Sequence, residues 1–112
     1  MGNIYRFVEP VLLLMLKDKG HSYGYDLAAN LNQYALTDGR IEGAALYRTL
    51  RRLEQNGYVV SSWDTRNGGP ARRVYALTKA GERHLVEWAQ VLGNLGAAMG
   101  RFATRAGASR ST

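Results

Sequence analysis

The stretch "GAALYRTLRRLEQNGY", residues 43–58, decides how the chain is read. Leu46, Leu50 and Leu53 recur at helical spacing and would line one buried stripe. Gly57 suits the position just past a helix, where the backbone turns left-handed. A helix is therefore expected from about Glu42 to Asn56. Arg48, Arg51 and Arg52 crowd the remaining surface, and with Leu46, Leu50 and Leu53 inward, Arg48, Thr49, Arg52 and Gln55 should project away from the core. On this helix alone two readings compete. The arginines are a solvated face with Arg51 or Arg52 paired to Glu54 or another acid, or they are aimed at a polyanion.

The flanking sequence separates the two. Downstream, "YVVSSW" and "RVYAL" are β-branched and aromatic runs joined by "DTRNGGPAR", whose Asn-Gly-Gly-Pro is strong turn chemistry. That predicts a hairpin with Arg66, Arg72 and Arg73 about its tip, the last two on opposite faces by strand alternation. Upstream, "HSYGYDLAANLNQY" predicts a helix with Ser22 as N-cap and Leu27 and Leu31 inward, followed by the turn-rich "ALTDGRIEG". Helix, turn, helix and basic hairpin in that order predict a winged helix-turn-helix, whose second helix enters the major groove while the hairpin reaches the flanking phosphates. Arginine suits both tasks, because its planar fork binds phosphate and guanine edges bidentately.

Charge supports this choice. Across 112 residues the formal charge is +6, which calls for a polyanionic partner. Residues 1–39 carry three Lys/Arg against four Asp/Glu, whereas residues 40–73 carry seven against three. The excess begins where the arginine helix does. With no cysteine there is no disulfide, thiolate metal site or thiol nucleophile. His21 and His84 have no acid at motif spacing, and no phosphate-binding loop or nucleophile motif occurs, so neither enzyme activity nor a metal or cofactor is expected.

The remaining elements frame this unit. "VLLLMLK" with Pro10 in its first turn predicts a central helix running to about Asp18 and stopping at Gly20. It is far shorter than the roughly 20 residues that span a bilayer, so a cytoplasmic protein without membrane contact is expected. Thr78 is the expected N-cap of a last helix, from about Lys79 to Arg105. In it Leu85, Trp88, Leu92, Leu95, Met99 and Phe102 are separated by 3, 4, 3, 4 and 3 residues, a heptad seam suited to a two-fold homodimer. Small residues beside the seam permit close helix approach or leave room for a ligand near Trp88. The fold expected is mainly α with a small β-hairpin (α+β): residues 1–77 a winged helix-turn-helix, 78–106 a dimerisation helix, and 107–112 a flexible tail.

Four stretches, "VEPVLLLML", "HSYGYDL", "LYRTLRRLEQNGYV" and "GGPARRVYALTKAGE", resemble the PadR family of winged-helix transcriptional regulators in its short form, with a single C-terminal helix. The resemblance covers roughly residues 7 to 90 and implies a dimeric, usually repressing protein that binds an inverted repeat in double-stranded DNA. Carried over by position, it places Tyr47, Arg48, Thr49, Arg51 and Arg52 on the recognition helix and Arg66, Arg72 and Arg73 on the wing, with Ser22 and Tyr23 opening the helix before. It also implies a small aromatic effector stacked on Trp88, beside Leu92, between subunits. The family often has Gly-Thr where this chain has Ala44-Ala45, so one phosphate-touching hydroxyl is missing and contacts should begin a turn later. Two other readings remain: a protein-docking module that uses the seam, and a small-molecule binder built around Trp88.

Overall fold

The computed structural model describes residues 7–34, 43–66 and 68–107. The expected connection over residues 35–42, Asn67 in the hairpin tip and the tail from residue 108 lie outside the described residues. In chain order the elements are α1 (Val8–Lys19), β1 (His21–Tyr23), α2 (Gly24–Asn30), a single 3-10 turn (Leu31–Gln33), α3 (Gly43–Gln55), β2 (Val59–Asp64), β3 (Arg72–Leu77) and α4 (Lys79–Arg105). The expected α+β winged fold is present, with one strand that was not anticipated.

That element is β1. Gly20 reverses the chain at φ +80°, a conformation that costs glycine little, and lays His21–Tyr23 antiparallel against β3. The sheet order is β1-β3-β2, so the hairpin forms two thirds of a three-stranded sheet. Ser22 is consequently a strand residue opposite Tyr75 and not an N-cap; its side chain is buried and its hydroxyl donates to the Tyr23 carbonyl. Tyr23 takes the position before α2 without a side-chain cap. A three-residue strand has too little length to show an alternating pattern. What extends these residues is the open edge of β3, which satisfies their backbone groups.

The core forms around α1, which contributes Val8, Val11, Leu12, Leu13, Met15 and Leu16 and packs against α3, α4 and β3. Leu27 and Leu31, the α3 leucines Leu46, Leu50 and Leu53, then Val59 and Tyr75 complete it. The buried stripe of α3 is wider than leucine spacing alone indicates, because Ala45 and Thr49 join it. Thr49 is 4% exposed, so it faces the core and does not project outward.

At the junction of α3 and α4 the caps fall where the residue types place them. Gly57 ends α3 at φ +81°. Thr78 Oγ1 accepts from the Gly81 amide at 3.0 Å and donates to the Gly57 carbonyl at 2.7 Å, tying the start of α4 to the end of α3. Gly81 lies against the backbone so closely that a Cβ there would overlap the Tyr58 carbonyl oxygen and stand 2.7 Å from Leu77 Cδ1.

Candidate nucleic-acid interface

The helix-turn-helix is set by aromatic packing. Gly24, the first residue of α2, leaves room for the Tyr47 ring from α3; a Cβ there would come within 3.2 Å of it. Tyr47 thus joins the two helices while staying 39% exposed on the recognition face. Along that face Arg48, Arg51 and Arg52 are exposed. Arg48 and Arg51 make no hydrogen bond or ion pair with any described residue. Arg52 differs: its Nη2 lies 3.6 Å from Glu9 Oε2 on α1. So the acid partner anticipated for this helix exists, but it is Glu9 and it takes one arginine of three.

The wing arginines are each held by a neighbour. Asp64, at the end of β2, accepts from the Arg66 backbone amide and Nε at 3.0 Å and from its Nη2 at 3.1 Å. It also accepts from the Tyr23 hydroxyl at 2.5 Å, which anchors the wing to β1. The Arg66 bonds chiefly, then the Tyr23 hydroxyl, hold the Asp64 carboxyl far below the usual carboxylate range. The same carboxylate pushes the Tyr23 phenol up. Arg72 donates to the Tyr25 hydroxyl at 3.0 Å and lies over the stacked rings of Tyr23 and Tyr25. Arg73 occupies the other face, as alternation requires: it covers Trp63 at 5.1 Å, donates to Ser61 and pairs with Glu54 at 3.7 Å. These contacts orient the guanidinium groups and leave them exposed, a preorganised wing beside two unpaired α3 arginines.

The expected seam on α4 divides in two. Leu85 and Trp88 are half-buried against the chain's own core, and Leu92 is half-buried. Beyond it Leu95, Met99 and Phe102 are 42%, 61% and 75% exposed. Beside Trp88 an open, largely apolar groove is lined by His84, Glu87, Trp88 and Val91.

One cluster has no counterpart in the sequence reading. Glu9 Oε1 accepts from Trp88 Nε1 at 3.1 Å and from His84 Nε2 at 2.5 Å, while the other imidazole nitrogen, Nδ1, lies 3.2 Å from Glu87 Oε1. His84, which showed no acid at motif spacing, has two. Its ring stacks on Tyr58 at 4.0 Å. Burial disfavours the charged imidazole, but the bonds to Glu9 and Glu87 outweigh it and raise the His84 pKa above 6.5. Burial likewise opposes the Glu9 charge, but the Trp88 and His84 bonds and the His84 and Arg52 charges outweigh it and lower its pKa below 4.5. For a raised histidine the stabilisation is full below 6.5 and is lost as pH rises through the folded value. For a lowered carboxylate it is full above 4.5 and is lost as pH falls through the folded value. The cluster should therefore support the fold most strongly between 4.5 and 6.5. Denaturant titration across pH is expected to show His84→Gln removing the alkaline-side decline and reducing, without abolishing, the acid-side one, because Trp88 and Arg52 still hold the Glu9 charge. Of this cluster only Glu87, three residues after His84, was within reach of a spacing argument.

With the recognition face, wing and long helix in place, comparison with known proteins is informative. The model of the transcriptional regulator PadR-like family matches residues 12–87. The chain belongs to that family. A Mycobacterium tuberculosis protein named a probable transcriptional regulator, Rv1176c, is 31% identical over 67 residues. The match takes in 60% of this chain and 35% of that relative, so the chain spans about a third of the relative's length. The crystal structure of a PadR family transcriptional regulator from Eggerthella lenta is 29% identical, covers 89% of this chain and 85% of its own, and superposes with a TM-score of 0.74. A transcriptional regulator from Clostridium thermocellum, 24% identical, shares the fold with a TM-score of 0.77 over 91% of this chain and 95% of its own. Among the described residues of this PadR-like protein, no helix is long and apolar enough to cross a membrane.

Proposed function

We propose that the chain is a cytoplasmic DNA-binding regulator, a repressor by default, that acts as a homodimer on an inverted-repeat operator. The observation that carries this is the pair of exposed arginines, Arg48 and Arg51, that have no partner among the described residues, set beside a wing whose own arginines are held in place. Two-fold pairing through α4 would present two copies of α3, which is why the operator should be palindromic. Residues 1–77 would then be the DNA-binding unit and 78–106 the pairing helix. Arg48 and Arg51 are assigned to base edges and nearby phosphates, with the exposed Tyr47 beside them. Arg52, Arg66, Arg72 and Arg73 are assigned to phosphates, with Tyr23 supporting the wing. Ser22 and Thr49, both buried, are assigned supporting positions and no direct contact. A planar aromatic effector would enter the groove at Trp88 next to Leu92 and alter the spacing of the two α3 helices. The groove's apolar lining supports that assignment.

Footprinting on DNA upstream of the protein's own coding region is the direct test, with protection of an inverted repeat as the expected result. Fluorescence anisotropy supplies the magnitude. With about three or four phosphates neutralised per subunit, log K should fall with log salt at a slope of about −5 to −7. Arg48→Ala with Arg51→Ala should weaken specific binding by at least about tenfold, since a bidentate base contact is worth about 1–3 kcal/mol. It should also flatten the salt slope. Arg66→Ala should do less, because Asp64 already offsets that charge. Binding indifferent to salt would overturn the proposal.

A further inference from the structure

Among the described residues, Glu9 is the one carboxylate bonded to two other helices at once, and its two oxygens divide between them. Oε1 serves α4, accepting from Trp88 and His84; Oε2 serves α3, facing Arg52. The side chain is only 17% exposed, so these partners are what offsets its charge. His84 is held by three neighbours, Glu9 of α1, Glu87 of its own helix and the Tyr58 ring that leads into β2, with Arg52 of α3 behind Glu9. Elsewhere along the same two helices, α1 and α4, Lys17 and Glu82 pair with each other. Carboxylate oxygens face both imidazole nitrogens, an arrangement that favours the imidazolium, which alone donates from both. Loss of that proton leaves the Glu9 charge with Arg52 as its single cationic partner among the described residues.

We infer that Glu9 is a positioning residue that couples α4 to the recognition helix, so that the proton on His84 and the indole N–H of Trp88 set how far Arg52 is free to engage DNA phosphate. This rests on the DNA-binding reading above and adds a regulatory link to it. With His84 protonated, Glu9 is balanced from α4 and holds Arg52 only loosely, at 3.6 Å and without a hydrogen bond, as in this structure. With His84 neutral, Glu9 draws Arg52 back and binding weakens. A molecule that displaces the Trp88 N–H from Glu9 acts in the same direction, which supplies a route from the α4 groove to α3 within one subunit.

The test uses the full chain and a fluorescein-labelled duplex that it selects from a random-sequence library, with anisotropy read from about pH 5.5 to about pH 8.5, the range in which histidine titrates. Wild type should lose about two- to tenfold in affinity across that range, the scale of two part-exposed ion pairs, one per subunit. His84→Gln, which keeps one N–H toward Glu9 and cannot titrate, should flatten the profile. Glu9→Gln should flatten it at the high-affinity end, and in an Arg52→Gln background should change nothing further. In parallel, NMR of the DNA-free protein should show the Arg52 Nε–H and Trp88 indole signals titrating together with His84 and ceasing to do so in Glu9→Gln. A wild-type profile retained in either Glu9→Gln or His84→Gln, or additive effects of Glu9→Gln and Arg52→Gln, would overturn the coupling. Failure to select any duplex would instead overturn the DNA-binding reading, and the NMR signals alone would then decide whether Glu9 links the helices.

Discussion

Gly81→Ala should lower the stability of the protein by about 2 kcal/mol and its melting temperature by about 10 °C. Gly93→Ala, the same chemical change in the same helix, should leave it unchanged or raise it. A methyl at Gly81 would overlap the Tyr58 carbonyl oxygen, and that oxygen is already committed, accepting from the Thr78 amide at 3.1 Å. Backbone cannot move aside as a flexible side chain does, and Leu77 Cδ1 at 2.7 Å closes the other direction. Relief would require α4 to shift off the end of β3, which would pull the Thr78 cap from Gly57. At Gly93 a methyl would meet nothing within 4 Å, and the gain of about 1 kcal/mol in helix propensity goes uncontested. Thermal and denaturant unfolding of the two variants side by side would check this. Equal shifts would mean that α4 does not sit on the Tyr58 carbonyl as described.

The contrast between these two glycines also shows what a linear reading can reach. Residue types that act through their own backbone were legible: Gly20 and Gly57 as stops, Thr78 as a cap, and the bounds of α4 to the residue. Features that depend on a distant surface were not. β1 exists because the β3 edge was open. Thr49 turns inward because a helix lying on a core buries a stripe wider than one leucine row. Gly81 looks like any helical glycine until Tyr58 is brought against it.

The same division holds at the candidate interface. The set of arginines was readable from composition and order, since charge excess and helix-turn-helix spacing are local properties. Which of them are free was not. Arg52 is paired by an acid on α1, Asp64 draws Tyr23 from a strand 41 residues away, and His84 meets Glu9 across 75. Pairing separates Arg48 and Arg51 from the others. Among the described residues it turns an undifferentiated basic surface into two groups without a partner on a helix and several restrained ones around them. Restraint is useful where a phosphate must be met in one geometry, because less side-chain freedom is lost on binding.

Met99→Asp with Phe102→Asp is expected to leave a folded winged domain that runs as a monomer and binds operator DNA about 100-fold or more weakly. α4 has 27 residues, yet its only buried residue is Gly81. Past Leu92 the helix carries Gly93, Gly96 and Gly100, each costing about 1 kcal/mol of helix propensity, and no core contact offsets them. Such a segment is marginal as an isolated helix in water. Exposed Leu95, Met99 and Phe102 in heptad register supply what is lacking if a second copy covers them. Two aspartates there would face their symmetry mates across the seam, adding like-charge repulsion and buried charge to the lost packing. The weakening in DNA binding follows from linkage: two joined recognition helices bind with an effective local concentration, and separating them forfeits about 10²–10⁴. Sedimentation and anisotropy read the two effects independently, and Gln90→Asp, on the exposed back of the seam, is the control that should keep both mass and affinity. If the double variant stays dimeric, the seam is not the pairing surface. If it becomes monomeric while its affinity for the inverted repeat holds, each winged domain reads its half-site alone and the two-fold model of recognition fails.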